Sequence, residues 1–196
     1  MTVNAFFVAS SMFAVTRATP LKDLAPQRPT QSVLAPVVML SVLGQFVVHV
    51  TALSWMVASA SERSPPPPFD PEADPDSEEG KFKVSLLNTT VYLVTWGFQI
   101  ATIFVNYNGV PFMQPLRKNV ALYRSVFLFA GVALVAASGV SSSFGDFLDL
   151  EPEIPFAFRV QIVACMALDV CAAWAVDAGV RSAFPLAFQS KVLHMR

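Results

Sequence analysis

Within the apolar stretch Val160–Val180 only two side chains carry charge, Asp169 and Asp177. They lie eight residues apart, about 80° around an ideal helix, so they point in broadly the same direction. An acid at mid-membrane costs about 2.5–3.5 kcal/mol on insertion scales, which makes each a candidate for function. The chemistry open to them is an ion or proton path, or a polar groove for a substrate. The structural alternative is that Asp169 bonds to polar groups on neighbouring helices while Asp177 reaches water at the interface. Gln45 and His49 stand one turn apart in a second apolar stretch, and Gln99 and Asn106 lie in a third. These four would form an inter-helix hydrogen-bond network, either lining a polar cavity or serving as packing contacts worth about 0.6 kcal/mol each.

Other chemistry finds no support. The chain has no glycine-rich phosphate loop ending in Lys-Ser or Lys-Thr, no H-E-x-x-H and no G-x-S-x-G. Two histidines, His49 and His194, are too few to suggest a histidine–cysteine metal site. Cys165 and Cys171 sit six residues apart on different faces of one helix, so they cannot pair without unwinding it. A net charge of −1 with no basic patch argues against a nucleic-acid partner.

The elements that carry these residues are legible from charge. Of the 196 residues, 54% are hydrophobic and 14% charged, against about 25% charged in a soluble domain. Val33–Ala60, Val84–Leu116 and Ser125–Gly145 contain no charge at all. Each exceeds the ~20 residues that cross a ~30 Å hydrocarbon core, and backbone in lipid must satisfy itself as helix. The reading is an all-α polytopic membrane bundle with transmembrane helices at 33–60, 84–107, 123–143 and 158–182. Val3–Val15 is apolar but only 13 residues long, with no basic residue before it. Residues 1–16 therefore read as a partial helix, the end of a longer one.

The intervening segments alternate in charge. Basic residues prevail in 17–32, in 108–122 and in the tail 183–196 with Arg181 just before it. Seven acids, three bases and a four-proline block fill 61–83, and four acids fill 144–157. The positive-inside rule places the basic segments in the cytosol and the acidic ones in the lumen, with a cytosolic carboxyl end. Pro36 suits a helix start, where its missing N–H costs little. Asn88-Thr89-Thr90 is a glycosylation sequon, but it lies too near a span for efficient modification, and Asn88 reads better as a helix cap. Gly131 and Gly139 are candidates for close helix packing or for plain lipid-facing positions.

Taken in order, "GQFVVHVTAL", "SLLNTTVYLV", "FQIATIFVNYNGVPFMQPLRKN" and "LDVCAAWAVDAGV" resemble the carboxyl-terminal membrane region of fifth-class P-type ATPases, and more closely their endoplasmic-reticulum subgroup. "TPLKDLAPQRP" resembles that family's cytosolic turn between the sixth and seventh core helices. The resemblance implies that the four spans are the seventh to tenth core helices, in the endoplasmic-reticulum membrane. It further implies a transporter phosphorylated on an aspartate during ATP hydrolysis, with Mg, that extracts misplaced transmembrane helices. The chain itself has no D-K-T-G motif, so no catalytic residue, cofactor site or metal site carries over. The partners implied are the lipid bilayer, upstream helices, cytosolic ATPase domains and transmembrane-helix substrates. The alternative is a free-standing four-span scaffold or regulator without catalysis.

Overall fold

A computed structural model of the chain describes residues 2–22, 32–65, 84–107 and 109–184. Most of the proline-rich acidic segment, the middle of the first connection, Asn108 and the tail from 185 lie outside them. Among the described residues the elements are α1 Thr2–Thr16, α2 Pro36–Arg63, α3 Leu86–Asn106, a 3-10 turn Leu116–Lys118, α4 Val120–Ser138, α5 Ser142–Phe147 and α6 Phe156–Ala183. No strand forms among them.

Helices α2, α4 and α6 are long and apolar enough to cross a membrane. At 21 residues, α3 is long enough, but its threonines and amides keep it out of that set. The reason is position. α3 packs against α1, α2, α4 and α6, so much of its surface meets protein rather than lipid. Trp96 and Leu93 on α3 are fully buried, alongside Met56 of α2, Leu122 of α4 and Ile162 of α6. At 15 residues, α1 is shorter than a span. It lies on α4, where the rings of Phe7 and Phe129 stack at 3.9 Å and Ser11 Oγ meets Ser125 Oγ at 3.2 Å.

Chain signals set the helix ends, and several differ from the sequence reading. Pro36 opens α2 as expected, but α2 runs on to Arg63. The α3 cap is Ser85, whose Oγ accepts the Asn88 N–H at 3.2 Å, and not Asn88, which is exposed. Charge-free runs mark α4 too late: the Asn119 side chain caps it at Leu122 N–H, and Gly139, at φ 68°, closes it in the left-handed region. α4 therefore starts before Arg124, whose long stem can carry its charge towards the interface. The acidic connection 144–157 is not all loop, because Ser141 caps the short α5. Of the two candidate glycines, Gly139 is at close approach, where a Cβ would press on the Arg159 side chain, and Gly131 is not. A Cβ at Gly131 would meet nothing within 4 Å, whereas one at Gly44 would press on Val176 and one at Gly97 on Met166.

At one end of the bundle two connections are clasped. Leu21 N–H donates to Phe112 C=O at 3.2 Å, and Gln114 N–H to Thr19 C=O at 3.0 Å. The Asn119 amide reaches back to Ala14 C=O at 2.9 Å, and the Tyr107 hydroxyl donates to Gln114 C=O at 2.8 Å. Gly109 lies beneath that carbonyl, where a Cβ would collide with the Gln114 oxygen. Overpacking of this kind costs about 1–3 kcal/mol. Gly109→Ala is expected to lower the thermal midpoint of the detergent-solubilised protein, while Gly131→Ala leaves it unchanged. Equal midpoints for the two variants would show that the clasp does not hold the fold.

Candidate functional site: a polar seam between α2 and α6

The α2 and α6 helices run antiparallel, and their contacts step in opposite directions along the two chains. Ser41 meets Asp177, Gly44 meets Val176, His49 meets Asp169 and Ser59 meets Gln161. Apart from the close approach of Gly44 to Val176, each pair answers a polar group that lipid could not satisfy. At one end the Ser41 hydroxyl donates to Asp177 Oδ1 at 2.8 Å, and Arg181 Nε donates to Oδ2 at 2.6 Å, one turn along α6. At the other, Gln161 Nε2 donates to Ser59 Oγ at 3.1 Å, and the Arg63 guanidinium lies 4.5 Å over the Phe158 ring.

Between these ends, α3 joins the seam. Gln45 of α2 and Asn106 of α3 exchange amide hydrogen bonds at 3.2 and 3.0 Å, and Gln45 also donates to Ser41 at 3.0 Å. His49 Nδ1 lies 2.8 Å from Asp169 Oδ1, with the acid's side chain wholly buried and the imidazole 17% exposed. One proton must lie between those two atoms, and the ring of Phe98 of α3 packs against the imidazole with centroids 4.8 Å apart. The second Asp169 oxygen is buried without a hydrogen-bond partner among the described residues.

Of the six intramembrane candidates, the structure brings five into this seam. Asp169 and Asp177 share one face of α6, as their angular spacing requires, and that face meets α2. Gln99, half-buried on α3, makes no side-chain hydrogen bond among the described residues and stands outside the network. His49 pairs with Asp169 rather than with the amides. Ser41, Ser59 and Gln161 were missed by the sequence reading. Their signal was available in the helical register that puts Ser41 one turn from Gln45, but small hydroxyls are common in membrane helices. Cys165 is buried and Cys171 exposed, both free. No group of three His, Cys, Asp or Glu side chains converges among the described residues.

A bundle of apolar helices knit by buried polar pairs defines a helical membrane protein. Comparison with known proteins gives its relatives. No protein-family model matches the chain. It is 32% identical over 186 residues to the Arabidopsis thaliana protein named "Probable manganese-transporting ATPase PDR2", covering 94% of this chain and 15% of that relative. It is 31% identical over 179 residues to the "Endoplasmic reticulum transmembrane helix translocase" of Schizosaccharomyces pombe, and 27% over 176 to that of Saccharomyces cerevisiae. Each match covers 90% of this chain and 14% of the relative. These matches bear out the resemblance to the carboxyl-terminal region of fifth-class P-type ATPases, and the chain spans about one-seventh of the length of these relatives.

Removing one partner of a buried charge pair typically costs about 3–5 kcal/mol, because the other is left uncompensated. His49→Leu alone is expected to destabilise the bundle by that order, and His49→Leu with Asp169→Leu by much less. The check is a double-mutant cycle of unfolding in mixed micelles. Strictly additive losses would mean that the pair does not hold α2 on α6.

Proposed function

We propose that this chain is the helical support bundle of an ATP-driven P-type transporter that moves transmembrane helices in the endoplasmic-reticulum membrane. The observation that carries the reading is similarity along nine-tenths of the chain to two fungal proteins named for that activity. On this reading α3 crosses beside α2, α4 and α6, giving four full spans, and α1 contributes part of another. Upstream helices and cytosolic ATPase domains are its partners, and transmembrane helices are the substrate of the whole machine.

One relative is named for manganese, but a reading centred on metal binding in this bundle has less support. Asp177 is engaged by Ser41 and Arg181, and Asp169 by His49, without a converging third ligand group among the described residues. ATP and Mg fit this chain no better, since it has no D-K-T-G run, and no catalytic step is assigned to its residues. Its role is to hold a fixed framework in the bilayer.

Charge supports an orientation. Arg17, Lys22, Arg117, Lys118 and Arg124 lie at the end of the bundle where α1 and α3 finish and α4 begins. Asp146, Asp149, Glu151 and Glu153 lie at the other. The positive-inside rule assigns the first end to the cytosol. A glycosylation acceptor on a flexible spacer after Asp149 is expected to be modified in microsomes, and the same insert after Lys118 is not. The reverse pattern would overturn the orientation.

Function itself is tested by grafting residues 2–184 into the Saccharomyces cerevisiae translocase in place of the matching segment. Restored clearance of a mistargeted single-span reporter supports the reading, and a stable, inactive chimera counts against it. An immunoblot of native membranes with an antibody to "FQSKVLHMR" tests the setting. A band several times heavier than 21.3 kDa fits a whole transporter. A band at 21.3 kDa alone favours a free-standing scaffold.

A further inference from the structure

We propose that the outer face of α4 is a binding site for one anionic glycerophospholipid. Its headgroup is held by Arg117, Lys118 and Arg124, and one acyl chain lies in a notch at Gly131. Two features on the same face carry this. The first is charge. Arg17, Lys22, Arg117, Lys118 and Arg124 are all exposed, and none has an ion-pair partner among the described residues. The clasp brings the first two, from one connection, beside the other three, since Asn119 bonds to Ala14 and residues 19 and 21 pair with 112 and 114. Among the described acids, Asp146, Asp149, Glu151 and Glu153 lie at the far end of the bundle, and Asp177 already holds Arg181. Cations clustered just outside the hydrocarbon are the chemistry that holds lipid phosphates and carboxylates.

The second feature is a groove directly below. Phe127, Leu128, Gly131, Val132, Val135 and Phe144 line an open cavity of about 560 Å³. Phe127, Leu128, Gly131 and Val135 follow Arg124 at helical spacings that keep them on its face. Gly131 makes the notch, because nothing lies within 4 Å of where its Cβ would be. From 127 to 135 the groove runs about 12 Å at ~1.5 Å per residue. That is close to the depth of one leaflet's hydrocarbon, about half of the ~30 Å core. A charged head at the cations and a chain in the notch fit a single lipid lying along α4. The site does not depend on the assigned orientation.

Native mass spectrometry of the 196-residue chain, released from nanodiscs of phosphatidylcholine with or without phosphatidylserine, reads the bound lipid. The unaltered chain is expected to retain phosphatidylserine preferentially. Each engaged cation contributes about fivefold, so Arg117→Gln with Arg124→Gln lowers the preference about 25-fold. Gly131→Phe starts from a Cβ that meets no neighbour and is expected to lose the retained lipid while its helical circular dichroism stays unchanged. Soluble glycerophosphoserine, the head without the chains, is expected not to compete. Equal retention of both lipids, or full retention in Gly131→Phe, overturns the proposal. So does competition by glycerophosphoserine, which would mark a site for free phosphate esters, or a dimer in place of lipid adducts, which would give the groove to a second copy.

Discussion

A carboxyl group near the middle of α6 has no water to turn to, and its contact with His49 fixes how α2 lies on α6. In a bilayer the apolar surfaces of helices gain little by leaving lipid for one another, so position is decided by close packing and by polar groups that must meet. Asp169 and His49 meet at 2.8 Å, and the neighbouring pairs fall into place around them. Ser41 reaches Asp177, the Gln45 amide reaches Asn106, and Gly44 lets Val176 close in. α3 is then trapped between this pair and α4, with its polar side chains turned to protein at both ends. At one end Asn106 bonds to Gln45, and at the other the Thr89 hydroxyl accepts the Glu151 N–H at 2.9 Å.

The remainder of the bundle is held by shape and by the clasp. Trp96 of α3 packs 5.0 Å from Phe129 of α4, which carries Phe7 of α1 on its other side. This aromatic line ties α1 to the core although α1 is short. The connection between α3 and α4 is fixed by backbone hydrogen bonds and by the Tyr107 hydroxyl over a glycine. That arrangement answers why an ordinary helix end would carry Tyr107, Gly109, Pro111 and Met113 at these spacings. They build a turn that also receives the strand-like segment after α1.

Much of this was visible in sequence. Long charge-free runs located α2, α3 and α4, and a run broken only by Asp169 and Asp177 located α6, because charge is the property that lipid excludes most strongly. The angular spacing of Asp169 and Asp177 correctly put them on one face, and the amides Gln45 and Asn106 did find one another. Partners were harder. Periodicity tells which face of a helix a residue occupies but not which helix lies opposite, so His49 was grouped with amides when its partner is an acid on α6. Gln99 shares the chemistry of Gln45 and lies two turns before Asn106 on α3, yet it makes no side-chain hydrogen bond among the described residues. Boundaries drifted where a cap outranked composition. Asn119 starts α4 ahead of Arg124, Gly139 ends it inside an uncharged run, and Ser85 rather than Asn88 opens α3. Gly139 was a candidate and does lie at close approach, but Gly44 and Gly97, which do so too, looked no different in sequence from Gly131.

The antiparallel contacts along α2 and α6 have a mechanical consequence. Were one helix to slide past the other by a single turn, Ser41 would face Ala173 or Arg181, His49 would face Cys165 or Ala173, and Ser59 would face Cys165 or Ala157. No displaced position offers a carboxylate or an amide to replace the one lost. A one-turn ratchet of one helix past the other, the more drastic of the helix shifts seen in switching proteins, therefore costs this pair its polar contacts. The register of the two helices is locked against whole-turn slips, and a rearrangement of that size in the membrane around them must turn on other joints.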